Sequence, residues 1–156
     1  MFARFRVIFV DCLFTSRRRA QNGISTFRAN TLSYSETFKD HLANPRNSGE
    51  LSDANALAEE TNPVCGDRLR LSLRIRDNRI EVARFLAYGC PPTLACGSVL
   101  AEMLEGMTIE DAFKLERNEI VAALGGLPSR KQHAAALAID ALRAAIEKSG
   151  DVTENR

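Results

Sequence analysis

From Arg68 to Arg76 the chain alternates strictly: Leu69, Leu71, Leu73 and Ile75 are apolar, and the residues between them are Arg or Ser. A period of two puts one set on a buried face and the other in solvent, which predicts a β-strand. Asp77-Asn78 follows, and both residues tolerate the left-handed backbone of a two-residue hairpin turn. Arg79–Tyr88 is then the partner strand, with Ile80, Val82, Phe85 and Ala87 apolar. Its alternation slips at Ala83-Arg84, which predicts a bulge there. Residues 54–59 are a weaker strand, because none of them is β-branched.

Elsewhere the period is helical. Ser33 and Glu36 have capping-box spacing, and Tyr34, Phe38 and Leu42 recur every four residues until Asn44-Pro45 stops the helix. Residues 45–53 read as loop. After Gly89-Cys90-Pro91-Pro92, the stripe Leu94, Gly97, Leu100, Ala101, Leu104 marks a helix ended by Gly106. Thr108 opens a short helix to Leu115, Asn118 caps another to Leu124, and Ser129 with Gln132 opens an Ala-rich helix to about Glu147. Strands first and helices after them predict an α+β fold with an antiparallel sheet.

Composition adds limits. The 156 residues are 45% hydrophobic and 26% charged, as one globular domain requires. The formal net charge of +1 gives no general case for nucleic acid, and no apolar run is long enough for a membrane-spanning helix. Charge is uneven, however. Residues 1–30 carry six Arg against the single acid Asp11, which leaves fifteen bases and nineteen acids in the rest. Residues 1–32 therefore read as a basic, disordered extension, with a mitochondrial presequence as the alternative. The domain is expected over 33–148, followed by a tail over 149–156. The four cysteines, Cys12, Cys65, Cys90 and Cys96, are too few for a disulfide scaffold and fit a reducing compartment, so a cytoplasmic location is expected, or the mitochondrial matrix with a presequence.

Three places could carry chemistry. Cys65-Gly66-Asp67 stands at the entry to the clearest strand; if strand geometry reaches that far, Cys65 and Asp67 point the same way. Cys90 lies between a strand and a helix start, where the helix dipole favours a thiolate. His133 lies in the first turn of the last helix, where the same dipole favours the neutral, ligating imidazole. Cys96 should be packed inside its helix, and His41 is structural or exposed. Two thiols, a carboxylate and an imidazole are a plausible donor set for zinc or an iron–sulfur cluster.

The ordered series Tyr34-Ser35, Asp40-His41, Asn44-Pro45-Arg46-Asn47, Cys65-Gly66-Asp67, Gly89-Cys90 and Leu127-Pro128 with Lys131-Gln132-His133 resembles the NifU/IscU-type iron–sulfur cluster assembly scaffold family, over residues 33–146. The resemblance implies a small SufE/NifU-like α+β domain with a three-stranded antiparallel sheet and helices packed on one face. It implies a non-enzymatic scaffold that assembles a transient 2Fe-2S cluster from iron and from persulfide sulfur, supplied by a cysteine desulfurase, for transfer to acceptor proteins. It places Cys65, Asp67, Cys90 and His133 at the ligand positions. Zinc is a further metal that such a site would hold.

The chain departs from the family in two places. The family usually has His-Cys where this chain has His133-Ala134, so the third cluster cysteine is missing; Cys96 is the remaining thiol that could substitute. The family's Leu-Pro-Pro-Val-Lys chaperone motif is here Leu127-Pro128-Ser129-Arg130-Lys131, which argues against Hsp70-type chaperone contact. The alternatives are a zinc-binding or metal-free interaction protein of the same fold and a persulfide-accepting partner of a desulfurase.

Overall fold

A computed structural model describes residues 34–149. The basic extension with Cys12, its expected boundary at residue 32, and all but the first residue of the expected tail lie outside the described residues. The elements are α1 (Glu36–Ala43), β1 (Ala56–Thr61), β2 (Arg68–Arg76), β3 (Arg79–Tyr88), α2 (Pro91–Leu104), α3 (Ile109–Lys114), α4 (Arg117–Ala123) and α5 (His133–Lys148). The strands form one antiparallel sheet in the order β1-β2-β3, as the residue pattern implied.

β2, β3 and their turn have the expected bounds, and Asp77 and Asn78 adopt φ of 50° and 60°. The bulge lies elsewhere. Arg74 pairs with Val82 while Ile75 pairs with Ile80, so Glu81 is the extra residue. The broken alternation at Ala83-Arg84 is the downstream effect of that insertion: Ile80, Ala83 and Phe85 face inward, and Val82 is half-buried. β1 begins two residues later than expected, because its span is set by pairing from Ala56↔Leu73 to Thr61↔Arg68 rather than by its own weak propensity.

The core lies between the sheet and the helices. Leu69, Leu71, Leu73 and Phe85 meet Leu100, Leu104, Leu142 and Ile146 there, all fully buried. α5 packs on β1 and β2, while α2 packs on β3, α1 and α5. So enclosed, α2 is buried on nearly every side instead of along the single stripe that the apolar positions suggested. Gly97 allows the close approach: a Cβ there would sit 2.4 Å from Phe85 Cδ2.

Three helix starts differ from expectation. Ser35, not Ser33, caps α1; its Oγ accepts from Phe38 N at 3.0 Å and donates to Leu124 O. Glu116, not Asn118, caps α4 in a reciprocal box with Glu119. Residues Ser129–Lys131 form one 3₁₀ turn, and α5 starts at His133 without a side-chain cap. The capping spacing at Ser129 thus marks a turn before the helix.

The loop after α1 first pairs with the free edge of β3 and then reaches the outward arginines of β2. Phe85 N donates to Asn47 O, and Gly49 N donates to Phe85 O. Acids from this loop and from the neighbouring strands meet the outward arginines: Glu50 and Glu59 meet Arg70, and Asp53 and Glu81 meet Arg74. His41 is buried, and its Nδ1 lies 2.9 Å from Ser98 Oγ, which also accepts from Arg46 N. Among the described residues no helix is long and apolar enough to cross a membrane.

Candidate functional site

Cys65 sits in the loop joining β1 to β2. The loop is tied at its neck, where Asn62 N donates to Asp67 O and Gly66 N donates to Asn62 O, both at 2.8 Å. Asn62 Oδ1 also accepts from Val64 N at 2.9 Å, an Asx turn that holds the tip. Gly66 has φ +74°, a left-handed conformation natural to glycine. Strand geometry therefore begins only at Arg68. The tight loop, not strand parity, brings Cys65 and Asp67 together, with Cys65 exposed and Asp67 buried.

Asp67 is the most heavily bonded group of the site. Its Oδ2 accepts from Thr93 Oγ1 at 2.7 Å, and its Oδ1 accepts from Cys90 N at 3.3 Å. Burial pushes the carboxyl pKa up, but hydrogen bonding from Cys90, Thr93 and Cys65 outweighs that and holds it below the ordinary carboxylate value. Gly89 supplies the room: with φ +147°, a Cβ on it would lie 2.3 Å from Asp67 Oδ1. Neither Thr93 nor the role of Gly89 was evident in the sequence. Thr93 looks like one more helical residue, and only the fold shows that its hydroxyl meets a carboxylate twenty-six positions earlier.

Cys90 occupies the N-cap of α2 and is half-buried. The thiolate expected there is not favoured. Burial and the adjacent Asp67 carboxylate raise its pKa, and its Sγ lies 3.5 Å from Thr93 Oγ1. The helix end is also a poor anion site. Pro91 and Pro92 carry no N–H, and Cys90 N–H is already given to Asp67. In the free protein Cys90 is therefore a thiol, which a bound metal would deprotonate.

His133 is the first residue of α5 and is half-buried. Its Nδ1 lies 2.9 Å from Arg130 O. A carbonyl can only accept, so the neutral ring has its proton on Nδ1 and its lone pair on Nε2, the arrangement found in metal-ligating histidines. A groove of about 170 Å³ beside it is lined by Asn62, Pro63, Leu137 and Asp140 among others.

One ligand atom each from Cys65, Asp67 and His133 lie within 4.8 Å of one another. Cys90 joins them through its contacts with Asp67. Three ligand atoms, from the hairpin loop and a helix start, thus meet, and Cys90 at the strand–helix junction stands beside them against Asp67 with its Sγ outside the 4.8 Å group. Soft thiolates beside a carboxylate and an imidazole suit zinc or iron–sulfur species better than calcium or magnesium. Cys96 is fully buried in α2, and its pKa is pushed up to about 12 by burial and by Cys90. Ala134 is fully buried beside His133 and offers no donor.

Comparison with known proteins agrees with the geometry. Residues 33–153 match the model of the NifU-like N terminal domain. The chain is 46% identical to the iron-sulfur cluster assembly scaffold protein IscU 1 of Archaeoglobus fulgidus, over 72% of this chain and 74% of that one. It is 39% identical to the IscU scaffold protein of Aquifex aeolicus, over 78% and 81%. The fold is similar to a NifU-like protein from Brucella abortus, with a TM-score of 0.61, 18% identity, and coverage of 76% and 94%. A similar match, with a TM-score of 0.59 and 21% identity over 72% and 96%, is a SUF-system scaffold protein from Fervidobacterium islandicum. The family model spans the whole of the described domain and the two relatives are 46% and 39% identical over the stretches that match; this chain belongs to the NifU-like N-terminal domain family.

Proposed function

We propose that this protein is an iron–sulfur cluster assembly scaffold. It takes iron and sulfide as its cargo at Cys65, Asp67, Cys90 and His133, holds them as a transient 2Fe-2S cluster, and hands the cluster to acceptor proteins. The observation that carries this reading is the meeting of Cys65, Asp67 and His133 ligand atoms within 4.8 Å, in a chain 46% identical to a protein named as such a scaffold. A carboxylate is a poorer partner for a cluster than a thiolate, so Asp67 makes the cargo easier to release. The sulfur donor is a cysteine desulfurase, and the protein makes no covalent change to its acceptors. The need for reduced thiols supports a cytoplasmic location, with the mitochondrial matrix as the alternative.

The test is anaerobic reconstitution of the full chain with ferrous iron and sulfide. The expected result is stoichiometric iron and sulfide with visible cluster absorption, lost in Cys65→Ser and in Cys90→Ser, and transferable to an apo-ferredoxin. A second reading has its own observation: with alanine at position 134 only two thiols remain, and two thiols, one carboxylate and one imidazole make a single tetrahedral zinc set. Zinc bound with no cluster formed would favour that reading. Persulfide on Cys65 without iron would favour a sulfur-accepting partner.

A further inference from the structure

We propose that Thr93 is a positioning residue of this site: its buried hydroxyl clamps one oxygen of Asp67, so that the carboxylate offers the incoming metal its other oxygen alone. The inference rests on the metal-binding reading above and extends it to a residue outside the ligand set.

The geometry is specific. Thr93 lies in the first turn of α2 and is completely buried, so its hydroxyl has no water to bond. A helical threonine ordinarily returns its hydroxyl to a carbonyl one turn back. Here Oγ1 instead donates across the fold to Asp67 Oδ2 at 2.7 Å. A valine would fill the same volume, so packing alone does not call for the hydroxyl. Cys90 N meets Oδ1 at 3.3 Å, and the bare backbone of Gly89 lies directly against the carboxylate. Oδ2 is thereby committed to a short bond, while the backbone bond to Oδ1 is longer and more readily exchanged for a metal. Thr93 thus fixes the rotation of the carboxylate, with the longer bond from the N-cap amide of Cys90 as its second tie to the start of α2. Partners of this kind orient metal ligands, and losing one typically weakens metal binding about 10–100-fold.

The experiment titrates zinc and cobalt(II) into the anaerobic, full-length chain in competition with a chromophoric chelator. The proteins are wild type, Thr93→Val, Thr93→Ser, Asp67→Ala and the Asp67→Ala/Thr93→Val double variant. Thr93→Val should bind about 10–100-fold more weakly, while Thr93→Ser, which keeps the hydroxyl, should bind close to wild type. In the Asp67→Ala background the valine should cost nothing further, because the hydroxyl acts through that carboxylate. The cobalt thiolate absorption should persist in Thr93→Val at saturating metal. Thr93→Ala replaces Thr93→Val if the latter does not fold. Wild-type affinity in Thr93→Val, equal losses in both backgrounds, or a Thr93→Ser as weak as Thr93→Val each overturns the inference. Absence of metal binding by the wild type would instead overturn the function on which it rests.

Discussion

Gly89→Ala is the sharpest probe of how the site is built. The added Cβ would fall 2.3 Å from Asp67 Oδ1, 2.4 Å from Cγ and 2.8 Å from Cβ. A carbon and an oxygen rest no closer than about 3.3 Å, so the carboxylate must retreat by roughly 1 Å. The bond from Thr93 to Oδ2 is 2.7 Å and does not survive such a shift, with a loss of about 1.5–3 kcal/mol for a hydrogen bond to a charged group. Alanine at φ +147° adds backbone strain of about 1–3 kcal/mol. Together these give roughly 2.5–6 kcal/mol, or a fall in Tm on the order of 10–20 °C for a domain of this size. Gly106→Ala is the control: its φ is +85° and nothing lies within 4 Å of its new Cβ, so it bears strain of about 1–2 kcal/mol only. Thermal denaturation of the metal-free proteins and zinc titration of each would measure both effects. If Gly89→Ala melts and binds zinc no worse than Gly106→Ala, Asp67 is not held in the notch described here.

Ala134→Cys restores a thiol next to His133 and should raise the iron retained per chain after anaerobic gel filtration; no gain would mean that position 134 does not reach the cargo. Cys96→Ser buries a hydroxyl in an apolar helix and should cost about 1–3 kcal/mol in denaturant unfolding with zinc affinity unchanged; loss of metal would show that Cys96 is a ligand. Burial holds the pKa of His41 below its ordinary 6.5, so the folded state takes up its proton later than the unfolded chain does. Stability from this source is complete above about pH 6.5 and declines as pH falls below it, and His41→Gln should flatten the slope between pH 7 and 5. Chelation should leave far-UV circular dichroism unchanged, because the core of Leu69, Leu71, Phe85 and Leu100 needs no metal; collapse of the spectrum would contradict this.

The parts of the fold legible from the chain were those that local pattern decides. β2 and β3 follow from strict alternation, and their turn from Asp77-Asn78. The positions that sequence could not supply are set by tertiary pairing. β1 takes its limits from β2, the bulge at Glu81 shows in the pattern only two residues downstream, and α2 loses its expected solvent face because α1 and α5 close around it. The same division holds for the site. Cys65, Asp67, Cys90 and His133 stood out because their side chains carry recognisable chemistry. Thr93 and Gly89 act by what they touch, and contact across twenty residues or more leaves no local trace. The expected activation of Cys90 by its helix end failed for a related reason. The dipole argument presumes free N–H groups, and the two prolines remove them.

That double proline also bears on which small molecules can compete for the site. An ordinary helix start next to a cationic cargo would gather phosphate, since three or four open amides are a ready anion trap. At α2 two of those amides do not exist, the Cys90 amide serves Asp67, and the Thr93 amide is turned back on Cys90 O at 3.0 Å. The start of α2, beside the thiols and the carboxylate, is thus a poor place for an oxyanion. Iron arriving at that helix start meets Cys90 and Asp67 as donors, and no row of open amides to gather phosphate beside them.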